Sequence, residues 1–186
     1  MLSPILVLSI KPEVLSLFRS TSVVASVLSF FSETPKSYEG EWVDDKRNGK
    51  GKCIYRDGSV YDGQLKDDKR HGQGKRTYSD GLVYDGLWAD DKMHGQGKCT
   101  YSDGSVYDGQ WADAKMHGQG KCTYKNGSVY DGQWKDRKWC GEGKFTHRNG
   151  NVYEAEWTSE FTPKQGTLQR NGRFWTGTKE DIQNGK

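Results

Sequence analysis

The sequence predicts an all-β fold, an elongated single-layer antiparallel meander of β-hairpins with a short helical segment in front, on three observations. Tyr recurs at positions 38, 61, 84, 107, 130 and 153, a spacing of 23 residues without insertion or deletion. Within each unit the residues alternate with the period of two expected of a half-buried strand. The composition joins 24 Gly, 10 Tyr and 7 Trp to a hydrophobic fraction of only 32%, below the usual range of about 45 to 50%. Rings and glycines held in register indicate a thin fold that buries aromatics and has little aliphatic interior. Such arrays are quasi-one-dimensional, and their function resides in the long surface made by stacking.

Taken in chain order, residues 1–37 form an apolar, amphipathic segment, 38–175 carry six repeats, the last a degenerate cap, and 176–186 form a tail. Residues 1–32 are rich in Leu, Val, Ser and Ile, with Lys11, Glu13 and Arg19 their only charges. Pro12 suits the first turn of a helix. From there Val14, Leu17, Phe18, Val24, Leu28 and Phe31 recur at helical spacing. Three readings rank in the order of a packing helix, an interfacial membrane anchor and a signal peptide. A basic n-region is missing and charges interrupt the apolar run, which ranks the signal peptide last. The uncharged run after Arg19 spans ~12 residues, short of the about 20 needed to cross a bilayer.

The third unit, Tyr84 to Val106, shows how each repeat builds two strands. Tyr84, Gly86 and Trp88 share one face of the first strand, with Asp85 and Leu87 opposite. The polar stretch Asp90 to His94 turns the chain. A second strand from Gly95 to Tyr101 puts Gly95, Gly97, Cys99 and Tyr101 on one side, with Lys98 and Thr100 on the other. Ser102-Asp103-Gly104 suits a three-residue loop built as a type I turn and a left-handed Gly. That odd length pairs Cys99 with Tyr107, Gly97 with Gly109 and Gly95 with Trp111, keeping the aromatics on one face. The glycines leave room for neighbouring rings. Six repeats give about twelve strands and a sheet of about 55 Å at ~4.8 Å per strand.

The pattern Tyr-x-Gly-x-Trp, then His-Gly-x-Gly, then Tyr-x-Asp-Gly, resembles the MORN (membrane occupation and recognition nexus) repeat. Tyr107, Gly109, Trp111, His117, Gly118, Gly120, Tyr124 and Gly127 all fall in its register. The resemblance covers about three quarters of the chain. It implies a hairpin meander used as a scaffold or targeting module, often beside membranes or cytoskeleton and sometimes joined to a plant-type phosphatidylinositol phosphate kinase domain, which does not follow in this sequence. The family usually has Gly where this chain has Asp45, Asp68, Asp91, Ala114 and Arg137, which leaves the geometry of that turn open. Leu65 replaces Trp in the second unit. Ala155, Pro163 and Lys164 stand at former Gly, His and Gly positions in the sixth, as suits a terminal cap whose Trp157 contributes less than an interior Trp.

Other motifs read as structural. His71, His94 and His117 form a column two strands apart, ~9.5 Å, too far for shared ligation of one ion. The same spacing keeps Cys53, Cys99 and Cys122 beyond disulfide reach. With no C-x-x-C pair, a reducing compartment is the simpler assumption. The recurring segment beginning GSVYDG lacks the Lys-Ser or Lys-Thr of a phosphate loop. Asp62, Asp85, Asp108 and Asp131 face Lys52, Lys75, Lys98 and Lys121 across strands, a pattern of solvated complementary charge. Asn126-Gly127-Ser128, formally a glycosylation sequon, occupies the repeat turn.

Net charge is +3, and the six repeats run from −2 to +2, so no basic stripe tracks nucleic-acid phosphates. The expectation is therefore a non-catalytic cytoplasmic scaffold without cofactor or metal. It binds a protein partner or a second copy through a glycine-lined aromatic face formed by Tyr61, Tyr84, Trp88, Tyr107, Trp111, Tyr130 and Trp134. The alternative is a module targeting anionic membrane lipid, with membrane association through residues 1–32. An aromatic face of this length also calls for a cover, and the N-terminal helix would dock on it through Leu17, Phe18, Val24, Leu28 and Phe31.

Overall fold

A computed structural model describes residues 34–158, 163–170 and 173–178. Thirteen strands form one antiparallel sheet whose spatial order is the chain order: β1 Pro35–Val43, β2 Lys46–Tyr55, β3 Val60–Lys66, β4 Lys69–Thr77, β5 Val83–Ala89, β6 Lys92–Thr100, β7 Val106–Ala112, β8 Lys115–Thr123, β9 Val129–Lys135, β10 Lys138–Thr146, β11 Val152–Trp157, β12 Pro163–Arg170 and β13 Arg173–Thr178. The all-β meander is as expected, with one strand more than the repeat arithmetic allowed. β13 runs past residue 175 into what reads as tail, and thirteen strands span about 58 Å. The helix expected over 12–32 lies outside the described residues.

The register follows the three-residue loop. Cys99 pairs with Tyr107, Gly97 with Gly109 and Gly95 with Trp111. Tyr101 N–H donates to Ser105 O at 2.8 Å, Gly104 N–H to Tyr101 O at 3.0 Å, and Gly104 has φ 88°, the left-handed position of that turn. Asp103 Oδ1 accepts the Ser105 N–H at 2.8 Å, an Asx bond that fixes the loop.

The other connection differs from the long polar turn the sequence suggests. Ala89 pairs directly with Lys92, so only Asp90 and Asp91 turn the chain. Both have positive φ, 46° and 67°, the signature of a type I′ turn, whose twist matches the flanking strands. Asp and Asn tolerate this region best after Gly, yet Ala114 at 59° and Arg137 at 69° also adopt it. Successive turns hold one another in place. Asp91 N–H donates to Arg70 O at 3.1 Å and Ala114 N–H to Met93 O at 3.0 Å, while Lys92 and Lys115 pair with Asp113 and Asp136 at 2.9 and 3.0 Å.

His94, counted as turn, and Gly95 and Gln96, counted as the start of a regular strand, instead form a bulge. β6 carries three residues between Gly97 and Met93 where β5 carries only Leu87 between Gly86 and Trp88, and Gly95 takes φ 58°. A bulge leaves ladder groups unpaired, and side chains of the opposing strand take them up. In the fourth unit Tyr107 Oη donates to Gln110 O at 2.8 Å, and Gln110 Oε1 accepts the Gln119 N–H at 2.9 Å. Tyr61 and Gln64 repeat both contacts, at 2.6 and 2.8 Å.

Candidate functional site

The seven rings expected to form an open binding face are the core. Tyr61, Tyr84, Tyr107 and Tyr130 are 0% exposed, and Trp88, Trp111 and Trp134 between 3 and 5%. Each Trp stands edge-on between the Tyr of its own repeat and that of the repeat before. Trp88 lies 5.6 Å from Tyr61 and 5.0 Å from Tyr84, Trp111 lies 5.3 Å from Tyr84 and 5.1 Å from Tyr107, and Trp134 lies 5.2 Å from both Tyr107 and Tyr130. These T-shaped contacts match the ring quadrupoles. The seven side chains thus make one unbroken ring ladder from Tyr61 to Trp134 and on to Tyr130. Their indoles are satisfied: Trp88, Trp111 and Trp134 donate to the Gly74, Gly97 and Gly120 carbonyls at 2.9, 2.9 and 2.8 Å.

The rings disappear from the surface because they lie over glycine rather than standing up from the sheet. A β carbon on Gly74 or Gly97 would be 2.5 Å from Cζ of Tyr61 or Tyr84. A single-layer sheet therefore closes its own apolar face, and the expected exposed aromatic face is corrected to a buried ladder. Burial raises the phenol pKa of Tyr61, Tyr84, Tyr107 and Tyr130 and pushes the Cys99 thiol up to about 11. Cys53 and Cys122 shift upward for the same reason, so these thiols are poor nucleophiles at neutral pH.

Two residues of this layer escape the sequence reading. Arg70 and Arg76 are each 5% exposed. Arg70 stands where other units have Met93 and Met116, its guanidinium 4.7 Å from the Trp88 centroid and its Nε donating to Asp91 Oδ1 at 2.8 Å. Arg76 replaces the Cys of the column, between Tyr55 at 4.8 Å and Tyr78 at 4.4 Å. Comparing column members, 70 with 93 and 116, and 76 with 53, 99 and 122, is the signal that finds them. Leu65, buried at 4%, breaks the ring ladder between Tyr38 and Tyr61.

The opposite face carries the charged side chains. The register puts Glu39 beside Lys52, Lys52 beside Asp62, and so on without interruption through Lys75, Asp85, Lys98, Asp108, Lys121, Asp131 and Lys144 to Glu154. The sign alternates at each strand, every ~4.8 Å. Lys144 and Glu154 close to 2.8 Å. Beside this row runs a second of Gln64, Gln73, Leu87, Gln96, Gln110, Gln119 and Gln133, which leads on to the facing pair Glu142 and Glu156. There the sheet forms a groove of about 560 Å³ lined by Asp131, Glu142, Lys144, Glu154 and Glu156.

The MORN repeat family model matches residues 38–60, 61–83, 84–106, 107–129 and 130–152, five consecutive units covering more than half of the chain. Among curated proteins no relative matches. One similar solved structure is the SAS-4 (dCPAP) TCP domain of Drosophila melanogaster in complex with a proline-rich motif of Ana2 (dSTIL). It is 12% identical over 70% of this chain and 72% of that one, with a TM-score of 0.46. Another is the wild-type TCP10 domain of Danio rerio CPAP in complex with a peptide of Danio rerio STIL, 13% identical over 76% of this chain and 75% of that one, with a TM-score of 0.33.

Proposed function

We propose, from the premise that this chain belongs to the MORN-repeat family and is a repeat interaction module, that it acts as a non-catalytic scaffold holding a protein partner along its charged face. The observation that carries this reading is the uninterrupted alternation of Lys and acid from Glu39 to Glu154. With the rings occupied by one another, the aromatic face offers few free side chains. The charged face offers the same groups at each repeat, every ~9.5 Å. A partner with matched alternating charge gains specificity from such a surface, since like charges set opposite each other are penalised.

The same alternation favours a protein over anionic lipid. A basic cluster gains about 1 kcal/mol per Lys or Arg near a negative membrane surface, but here each Lys of the row is flanked by acids on both neighbouring strands. A cytoplasmic location suits the free buried thiols of Cys53, Cys99 and Cys122.

The test pairs light scattering with sedimentation on vesicles of phosphatidylserine and phosphatidylcholine at physiological salt. The full chain should stay in the supernatant. Cross-links to a bound protein or second copy should map to Lys75, Lys98 and Lys121. Tight sedimentation that disappears in a Lys52→Gln, Lys75→Gln, Lys98→Gln, Lys121→Gln variant would sink this reading and promote the lipid module.

A further inference from the structure

Beyond the break at Leu65 the ring pattern resumes in Tyr38 and Trp42, and there it has an open end. Interior Trp residues each have two Tyr neighbours, one four residues before and one 27 residues before, and are 3 to 5% exposed. Trp42 has the first of these, Tyr38, at 5.1 Å and 83°. The second would fall at position 15, which is Leu15. Trp42 is accordingly 58% exposed, the largest opening of any Trp among the residues whose burial is described. It lines a groove of about 670 Å³ with Thr34, Pro35, Tyr38 and Arg47.

We propose that the chain's own preceding segment fills this groove, with the Phe30-Phe31 pair supplying the missing ring edge to Trp42. The chain enters the groove directly, because Thr34 and Pro35 line it. Phe31 lies three residues before Thr34, within about 10 Å even of fully extended chain. The edge-to-face spacing to be satisfied is the 5.0 to 5.6 Å of the interior ladder. Ring chemistry agrees at Trp42 and Tyr38, since Phe30 and Phe31 are the only aromatics of the uncharged residues 20–32, while Lys36, Arg47, Asp68 and Asp91 make the rest of the lining polar. A second copy would compete poorly for the same place. A segment tethered by so few residues acts at an effective concentration of order mM.

The experiment uses the full chain and acrylamide quenching of tryptophan emission, with the Trp42 component taken as the difference from Trp42→Phe. That component should be weakly quenched in the parent chain. It should become several-fold more quenchable in Phe30→Ser/Phe31→Ser, while Phe30→Tyr/Phe31→Tyr keeps it protected and the urea midpoints of the array stay together. Equal quenching in the parent and the Ser variant overturns the proposal. So does protection that vanishes on serial dilution together with a fall in mass, which would assign the ring to a second copy.

Discussion

Gly97 lies beneath the ring of Tyr84, thirteen residues earlier and one strand away, so closely that a β carbon there would overlap the Tyr84 hydroxyl and stand 2.5 Å from Cζ. The Gly is needed for the space above it. Gly97→Ala should cost about 1 to 3 kcal/mol, the range of overpacked cores. In a Tyr84→Ala background the same methyl should cost close to nothing, because the three nearest atoms it would meet all belong to Tyr84. Urea midpoints of the four members of the cycle check this, and additive losses would refute it.

The Tyr hydroxyl has a second duty at the bulge. Tyr107 Oη donates to Gln110 O at 2.8 Å, supplying a donor where the bulge interrupts the ladder. Tyr107→Phe should therefore cost about 1 to 2 kcal/mol, the loss of a part-buried hydrogen bond. Tyr38→Phe removes the equivalent bond to Glu41 O, which is exposed and has water at hand. Its loss should be visibly smaller in the same denaturation assay.

The last repeat departs from its sequence pattern at Ala155, Pro163 and Lys164, yet Trp157 is not a weak member. It is 5% exposed, donates to Gly143 O at 2.8 Å and lies 5.0 Å from Trp139 and 6.0 Å from Tyr130. Trp111→Ala and Trp157→Ala should then each cost about 3 to 5 kcal/mol. Thermal unfolding of the two variants should show comparable shifts, the outcome the cap reading of this repeat does not anticipate.

Strand register and face assignment were legible because they depend on local counting. The three residues Ser102 to Gly104 set which side Cys99 and Tyr107 share, and the pairing followed. The bulge at His94 to Gln96 was not legible in that way. It depends on the adjoining strand, where Tyr84 Oη donates to Leu87 O at 2.8 Å, and alternation counted from Gly95 onward gives no sign of it. That rings pack over glycines was legible, but the completeness of the burial from Tyr61 to Trp134, which leaves no open aromatic face, was not. Alternation tells which face a ring is on, but not that it meets a Trp of the next repeat. Arg70 and Arg76 were missed because charge ordinarily marks a surface position, whereas here two guanidiniums find ring faces within the core.

The type I′ turns offer a stabilising change. Ala114 holds φ 59° where a side chain with no polar group of its own gains nothing locally, and the left-handed region costs an L-residue about 1 to 2 kcal/mol. Ala114→Gly should raise stability by up to about 1 kcal/mol, the gain reduced by the greater freedom of Gly in the unfolded chain. Asp91→Gly should not gain as much, since Asp91 tolerates the region better and accepts bonds from Arg70 N–H and Nε at 3.0 and 2.8 Å. Equal effects at the two turns, read from thermal midpoints, would count against a strain origin.

Alkaline pH should unfold the array, and the sign follows from the direction of the shifts. Burial raises the pKa of Cys53, Cys99 and Cys122 above the thiol value of 9.0, with Cys99 near 11. It raises Tyr61, Tyr84, Tyr101, Tyr107, Tyr124 and Tyr130 above 10.0. Above about pH 9 the unfolded chain therefore binds fewer protons than the folded one, and stability falls as pH rises. Below that pH these groups are neutral in both states and contribute no slope. The urea midpoint should be insensitive to these groups between neutrality and pH 9, then decline steeply through pH 10 and 11 as the phenols join the thiols. Tyrosinate absorbance should appear together with the loss of β-sheet dichroism rather than before it, because the ladder phenols ionise only once their rings leave the glycines. Smooth phenol titration near pH 10 in a chain that keeps its sheet would show that these rings are solvated and not the core.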